Sequence, residues 1–141
     1  FIDGKSPLLI EIKPNNGHKE IVRNLLCALK NYKGEFALQS FDPRYVWEIK
    51  NRAPEILRGQ LGCFYEKFTP QWYLVQHMNL NRFTKPDFIS YNIENLPYKP
   101  ARRKDTLLLG WTIRTQEKYE LAKKLVDNII FENIRPGSPA R

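Results

Sequence analysis

The sequence has 141 residues, enough for one domain with a modest core. Hydrophobic residues make up 42% of it and the mean hydropathy is −0.54, which describes a water-soluble chain. No run approaches the ~20 apolar residues of a membrane span. The net charge of +8 and pI of about 9.6 favour anionic partners: nucleic acid, an anionic membrane surface or phosphorylated metabolites. Residues 1–10 lack the basic start and long apolar core of a secretory signal. Cys27 and Cys63 are too few and too separated for a metal motif or a disulfide framework. Both lie in apolar sequence and read as small core residues, which points to a reducing cytoplasm.

Taken in order, the chain alternates. Pro7 to Lys13 is an apolar strand, followed by the turn cluster Pro14-Asn15-Asn16-Gly17. The spacing of Ile21, Val22, Leu25, Leu26 and Leu29 predicts a helix from His18 to Tyr32, with Gly34 as a left-handed C-cap. Glu35 to Phe41 reads as the second strand. Asp42-Pro43 opens a helix as N-cap and first-turn proline, Tyr45, Val46, Ile49 and Ala53 mark its inner face, and Pro54 ends it. Leu61 to Tyr65 reads as a short third strand, and Thr69-Pro70 starts a helix running to Leu80. Asp87 to Tyr91 is the fourth strand. The segment 92–104 is a loop or the exposed start of a helix, carrying Ala101-Arg102-Arg103-Lys104, a basic cluster of the kind that forms a solvated face. Thr106 to Ile113 is the fifth strand. Thr115 caps a helix through Val126, whose Glu117 and Lys123-Lys124 suit the helix dipole. Asn128 to Phe131 is the sixth strand, residues 1–133 form the folded part, and 134–141 read as a flexible tail.

Strand starts near Leu8, Phe36, Leu61, Phe88, Leu107 and Asn128 recur at the roughly 20–28-residue spacing of βα units. The strands are near-continuous apolar runs, as in parallel sheets covered on both faces. Neither GxGxxG nor GxxxxGK[ST] is present, so an open nucleotide-binding sheet is disfavoured. A (β/α)8 TIM barrel fits better, but it needs eight strands and typically ~250 residues. The expected fold is therefore α/β, an incomplete barrel of about six βα units.

One stretch stands out within this pattern. Glu11 and Lys13 are two apart on the first strand, so they project to the same side as Leu9. A charged pair on a buried side requires compensation. Either the two form a plain ion pair at a strand end, or Glu11 holds a metal ion and Lys13 a phosphate.

Several segments carry a resemblance. Leu9-Ile10-Glu11-Ile12-Lys13-Pro14, Gln39-Ser40-Phe41-Asp42-Pro43, Gly110-Trp111-Thr112-Ile113 and Asn128-Ile129-Ile130-Phe131-Glu132 resemble successive strands of the glycerophosphodiester phosphodiesterase family. Their order and spacing agree with the third to eighth barrel strands. Two positions depart from the family pattern: Phe131-Glu132 stands where Thr-Asp is common, and Gln39-Ser40-Phe41 where Ser-Ser-Phe is usual. The opening His-Arg motif, the Glu-x-Asp of the second strand and the following His-Asp motif have no counterpart here. His18 and His77 fall at or within helices rather than at strand ends, and read as structural.

The resemblance implies the C-terminal part of a metal-dependent phosphodiesterase that releases glycerol 3-phosphate and an alcohol. It implies Ca2+ or Mg2+ with Glu11 among its oxygen ligands, Lys13 on the phosphoryl oxygens, and Trp111, with Phe41 second, against the glycerol moiety. The two histidines serving as general acid and base would lie outside this chain, which alone is then expected to be inactive. Exposed barrel edges imply self-association or pairing with the missing part. The alternatives are a basic, non-catalytic module for nucleic acid or anionic lipid, and a barrel remnant acting as an interaction partner. The aromatic residues fall mostly inside strands and on inner helix faces, so no nucleic-acid partner is expected.

Overall fold

A computed structural model of the chain describes residues 2, 4–64 and 69–136. The βα alternation expected from the apolar patterning is what these residues adopt. In chain order the elements are β1 (Leu8–Glu11), α1 (His18–Leu29), β2 (Phe36–Ser40), α2 (Pro43–Arg52), β3 (Leu57–Gly62), α3 (Pro70–Gln76), α4 (Asn81–Thr84), β4 (Phe88–Asn92), β5 (Leu107–Ile113), α5 (Gln116–Leu125) and β6 (Asn128–Phe131). Single 3-10 turns at Ile93–Asn95 and Lys99–Ala101 lie between β4 and β5. The anticipated caps form: the side chains of Asp42, Thr69 and Thr115 accept from the backbone N–H groups of Arg44, Trp72 and Lys118.

The chain divides into two compact units, Phe1–Leu61 with Asn79–Asp87, and Gly62–Met78 with Phe88–Arg141. In the first unit β1, β2 and β3 are parallel neighbours, with Glu11 opposite Gln39 and Gln39 opposite Gly59. Ile10, Ile12, Phe36 and Leu38 pack with the predicted stripe of α1 and with Tyr45 and Ile49 of α2. In the second unit β4, β5 and β6 are parallel neighbours. Ile89, Tyr91, Leu108 and Ile129 pack with Ala122 and Val126, and Ile134 joins this cluster although it begins the expected tail. Residues 137–141 of that tail lie outside the described residues.

Both units use the same polar clamp where a strand begins. Asp87 N donates to Arg58 O at 2.8 Å, and Arg58 N donates back to Asp87 Oδ2 at 2.9 Å. Asp127 N donates to Leu108 O, and Leu108 N donates back to Asp127 Oδ2, each at 2.8 Å. A short acidic side chain just before a strand thus pairs one end of a ladder that would otherwise leave an N–H unpartnered.

Four sequence expectations are corrected. The third strand is Leu57–Gly62, not 61–65, and residues 65–68 lie outside the described residues. Its Arg58 and Gln60 break the apolar pattern yet are 8% and 2% exposed. They are buried because they are bonded: Arg58 donates to Lys85 O and Pro54 O, and Gln60 to Phe41 O and Leu61 O. The helix after Thr69 stops at Gln76, and Met78 takes a left-handed φ of 55° before α4 starts at Asn81. Gly34 is not a left-handed cap. It is required by close approach, since a Cβ there would fall 2.8 Å from Gly4 Cα and 2.6 Å from the Tyr32 hydroxyl. Cys27 is exposed and Cys63 half-buried, so neither is a core residue.

Candidate functional site

Glu11 ends β1 and Lys13 follows two residues later. Since Ile10 and Ile12 face the helices, Leu9, Glu11 and Lys13 turn to the opposite side of the sheet. That side is not the buried one expected: Leu9 is 43% exposed. The register puts Ala37 and Gln39 of β2 on this same face. Lys13 Nζ lies 2.7 Å from Glu11 Oε1, with side-chain exposures of 80% and 29%. The Oε1 atom itself is buried and lacks a well-directed hydrogen bond, so the ammonium is its electrostatic partner. The Lys13 ammonium is largely exposed, so solvent screens its side of the pair while the carboxylate side is sheltered.

The backbone beneath the pair is held by buried groups that sequence reasoning did not assign. Ser40 Oγ, at 0% exposure, donates to Ile12 O at 2.8 Å and accepts from Asp42 N at 3.2 Å. The Tyr45 hydroxyl donates to Asn15 O at 2.9 Å and accepts from Asn15 N at 3.0 Å. Ile12 N donates to Gln39 O at 2.8 Å. Residues 12 and 15, on either side of Lys13, are therefore pinned by β2 and α2. The signal was present in Ser40: it continues the helix-facing series Phe36, Leu38, where a polar side chain must find a partner.

Phe41 is half-buried at the end of β2, its carbonyl accepting from Gln60 Nε2 at 2.9 Å. The carboxyl of Asp42 next to it is pushed up by burial, but hydrogen bonds and charge from Arg44 outweigh this and hold it below the usual carboxylate range. Arg44 Nε and Nη2 both donate to it, at 3.0 and 2.6 Å.

Trp111 belongs to the second unit. It is the fifth residue of β5, pairs with Asn92, and is half-buried. Its indole N–H donates to Ser90 O at 3.0 Å. The β5–β6 register shifts between Gly110 and Ile113, and such irregularities re-aim a strand's side chains. The Trp111-Thr112 peptide is cis. At the ends of the same two strands Arg114 Nε donates to Glu132 Oε2 at 2.9 Å.

Each of the two histidines meets a tyrosine. His18 begins α1 and meets the Tyr45 ring edge-on at 6.0 Å. His77 Nδ1 lies 2.6 Å from the Tyr98 hydroxyl. A cavity of about 520 Å3 in the first unit is lined by Pro7, Leu9, Phe36, Ala37 and Leu57, at the N-terminal ends of the strands. Glu11 and Lys13 lie at the opposite, C-terminal end of β1 from this cavity.

A divalent cation needs about six or more oxygen ligands. Among the described residues no three of His, Cys, Asp and Glu come together to hold one. The described residues therefore do not fit a resident metal by themselves, and Glu11 is at most one ligand of a set completed elsewhere. No described helix is long and apolar enough to cross a membrane.

No family model and no curated protein matches the sequence. Solved structures do. A protein of Silicibacter pomeroyi DSS-3 assigned as a glycerophosphoryl diester phosphodiesterase superposes with a TM-score of 0.70 at 19% identity, over 92% of this chain and 47% of that one. A glycerophosphodiester phosphodiesterase from Parabacteroides distasonis gives 0.67 at 18% identity, over 89% and 52%. The Oleispira antarctica phosphodiesterase, solved with its product sn-glycerol-3-phosphate, gives 0.65 at 17% identity, over 86% and 49%. The fold is that of the glycerophosphodiester phosphodiesterases. It is an incomplete (β/α)8 TIM barrel with six parallel strands and helices between them, and the chain spans about half the length of these phosphodiesterases. Within that fold Glu11, Lys13 and Trp111 each sit in the C-terminal part of a strand or just after it.

Proposed function

We propose that the chain is the C-terminal part of a hydrolase that cleaves glycerophosphodiesters to glycerol 3-phosphate and an alcohol. The observation that carries this reading is the Glu11–Lys13 pair, 2.7 Å apart at the C-terminal end of a strand of a phosphodiesterase-type fold. The product bound to the Oleispira neighbour supports a small phosphorylated substrate.

Each residue has a task within this reading. The exposed Lys13 ammonium faces a phosphoryl oxygen and stabilises the negative charge that grows there in the transition state. Glu11 would supply one carboxylate oxygen to a divalent cation, Ca2+ or Mg2+, whose other ligands would come from outside the described residues and which would offset charge on the phosphodiester. Trp111 offers an apolar wall to the glycerol carbons, its ring fixed by the bond to Ser90 O. Phe41, the residue after the neighbouring strand β2, is the second apolar contact in this reading. Proton transfer falls to histidines outside this chain.

The test has two arms. The longer natural polypeptide containing these residues should hydrolyse glycerophosphocholine in the presence of Ca2+ or Mg2+. Lys13→Ala should lower kcat/KM by about a hundredfold, the size of one lost charge contact to the transition state. Glu11→Ala should weaken the dependence on added cation. The 141-residue chain alone should show no turnover. Full activity in the Lys13 and Glu11 variants would remove both residues from the site, and turnover by the short chain would contradict the assignment of acid and base.

A further inference from the structure

In the second unit an apolar helix and a basic segment are tied together. Helix α3 leaves three consecutive large side chains at the surface: Trp72, Tyr73 and Leu74 are 40%, 44% and 39% exposed. Val75, at 7%, is its buried residue. The residues ending α3 are bonded to the segment that follows β4. The Tyr98 hydroxyl is 2.6 Å from His77 Nδ1, and the Arg103 guanidinium donates to Met78 O at 3.0 Å. The basic run from Lys99 to Lys104 is therefore anchored beside an exposed aromatic helix. Arg102 is paired with Asp127, whereas Lys99 and Lys104 are exposed and have no carboxylate partner among the described residues.

This combination selects among anionic partners. RNA would stack bases on aromatic faces, but the Tyr73 ring already packs on His77 with centroids 4.2 Å apart, and Leu74 gives a base nothing to stack on. A bilayer uses all of these groups. Trp and Tyr place an apolar body and a polar tip at the headgroup level, Leu enters the acyl boundary, and lysines meet lipid phosphates. We propose that α3 and the 99–104 segment form a docking face for an anionic lipid bilayer, with Trp72 and Leu74 inserting and Lys99 and Lys104 at the headgroups. This is independent of the reading of the Glu11–Lys13 site.

The test is sedimentation of the protein with vesicles of phosphatidylcholine alone or mixed with phosphatidylserine. Binding should require phosphatidylserine and weaken as salt is raised. Each lysine near an anionic surface is worth about fivefold, so Lys99→Gln with Lys104→Gln should weaken binding about 25-fold. Trp72→Ala should weaken it roughly tenfold through lost apolar burial. All three positions are exposed, so unchanged thermal midpoints serve as the control for folding. Quenching of tryptophan emission by brominated lipid, diminished in Trp72→Phe, reads insertion without a truncating change. Absence of binding to phosphatidylserine vesicles, equal binding by wild type and variants, or tighter binding of a single-stranded RNA through the same lysines would each overturn the proposal.

Discussion

Gly62→Ala sets two known effects against each other at the end of β3. Adding a methyl lowers the entropy of the unfolded chain, which by itself stabilises by about 0.4–1 kcal/mol. The folded structure has no room for it. A Cβ at position 62 would lie 2.2 Å from Met78 Cε and 2.7 and 2.9 Å from two ring carbons of Tyr91. The Met78 methyl is the end of a flexible chain, but the residue is only 1% exposed. The Tyr91 ring is wholly buried and its hydroxyl donates to Gln76 O at 3.2 Å, so it resists displacement. Overpacking of this kind costs about 1–3 kcal/mol. The cost exceeds the gain, and the net expectation is destabilisation by about 0.5–2 kcal/mol. Urea denaturation at 25 °C measures it. The decisive comparison is the same substitution in Met78→Ala, where the new methyl enters vacated space. The penalty should shrink or change sign there, giving a coupling between two residues in contact. An unchanged or raised midpoint for Gly62→Ala in the wild-type background would refute the packing argument.

Two further outcomes are expected. Tyr45→Phe removes the hydroxyl that brackets Asn15, and since Asn15 is exposed and water can replace the lost partner, the cost should be about 1 kcal/mol. Faster hydrogen exchange at the Asn15 amide would show the Lys13 loop loosening, and unchanged protection would exclude Tyr45 as its anchor. The Asp127 carboxyl is lowered from 3.8, first by the hydrogen bond from Leu108 N, against which burial works, and then by the bond and charge of Arg102. A depressed carboxyl contributes stability that is present above its unfolded value and lost as pH falls through its folded value. Asp127→Asn should therefore lower the urea midpoint at neutral pH and flatten the loss of stability below pH 3.8, whereas parallel acid profiles for the two proteins would argue against this pairing.

The local chemistry of the chain was legible without coordinates. Period-3.6 stripes in α1 and α2, caps at Asp42, Thr69 and Thr115, and apolar runs at β1, β2, β4, β5 and β6 identify a repeated βα chain, because each signal is carried by residues close together in sequence. The pairing of Glu11 with Lys13 follows in the same way from strand periodicity. What escaped depends on partners far along the chain. The third strand reads as 61–65 because Arg58 and Gln60 look like surface residues until carbonyls 27 and 19 residues away are brought to them. Gly34 looks like a cap until Gly4 is seen against it. Ser40 and Tyr45 look like ordinary strand and helix residues until the backbone of Ile12 and Asn15 arrives at their hydroxyls. Sequence alone determined five of the six strands, helices α1, α2 and α5, and which strand end bears opposite charges, since these are short-range properties. Only the tertiary structure decided which polar groups are buried and what holds the charged pair in place, since a hydrogen bond between distant residues exists only after the chain has brought them together.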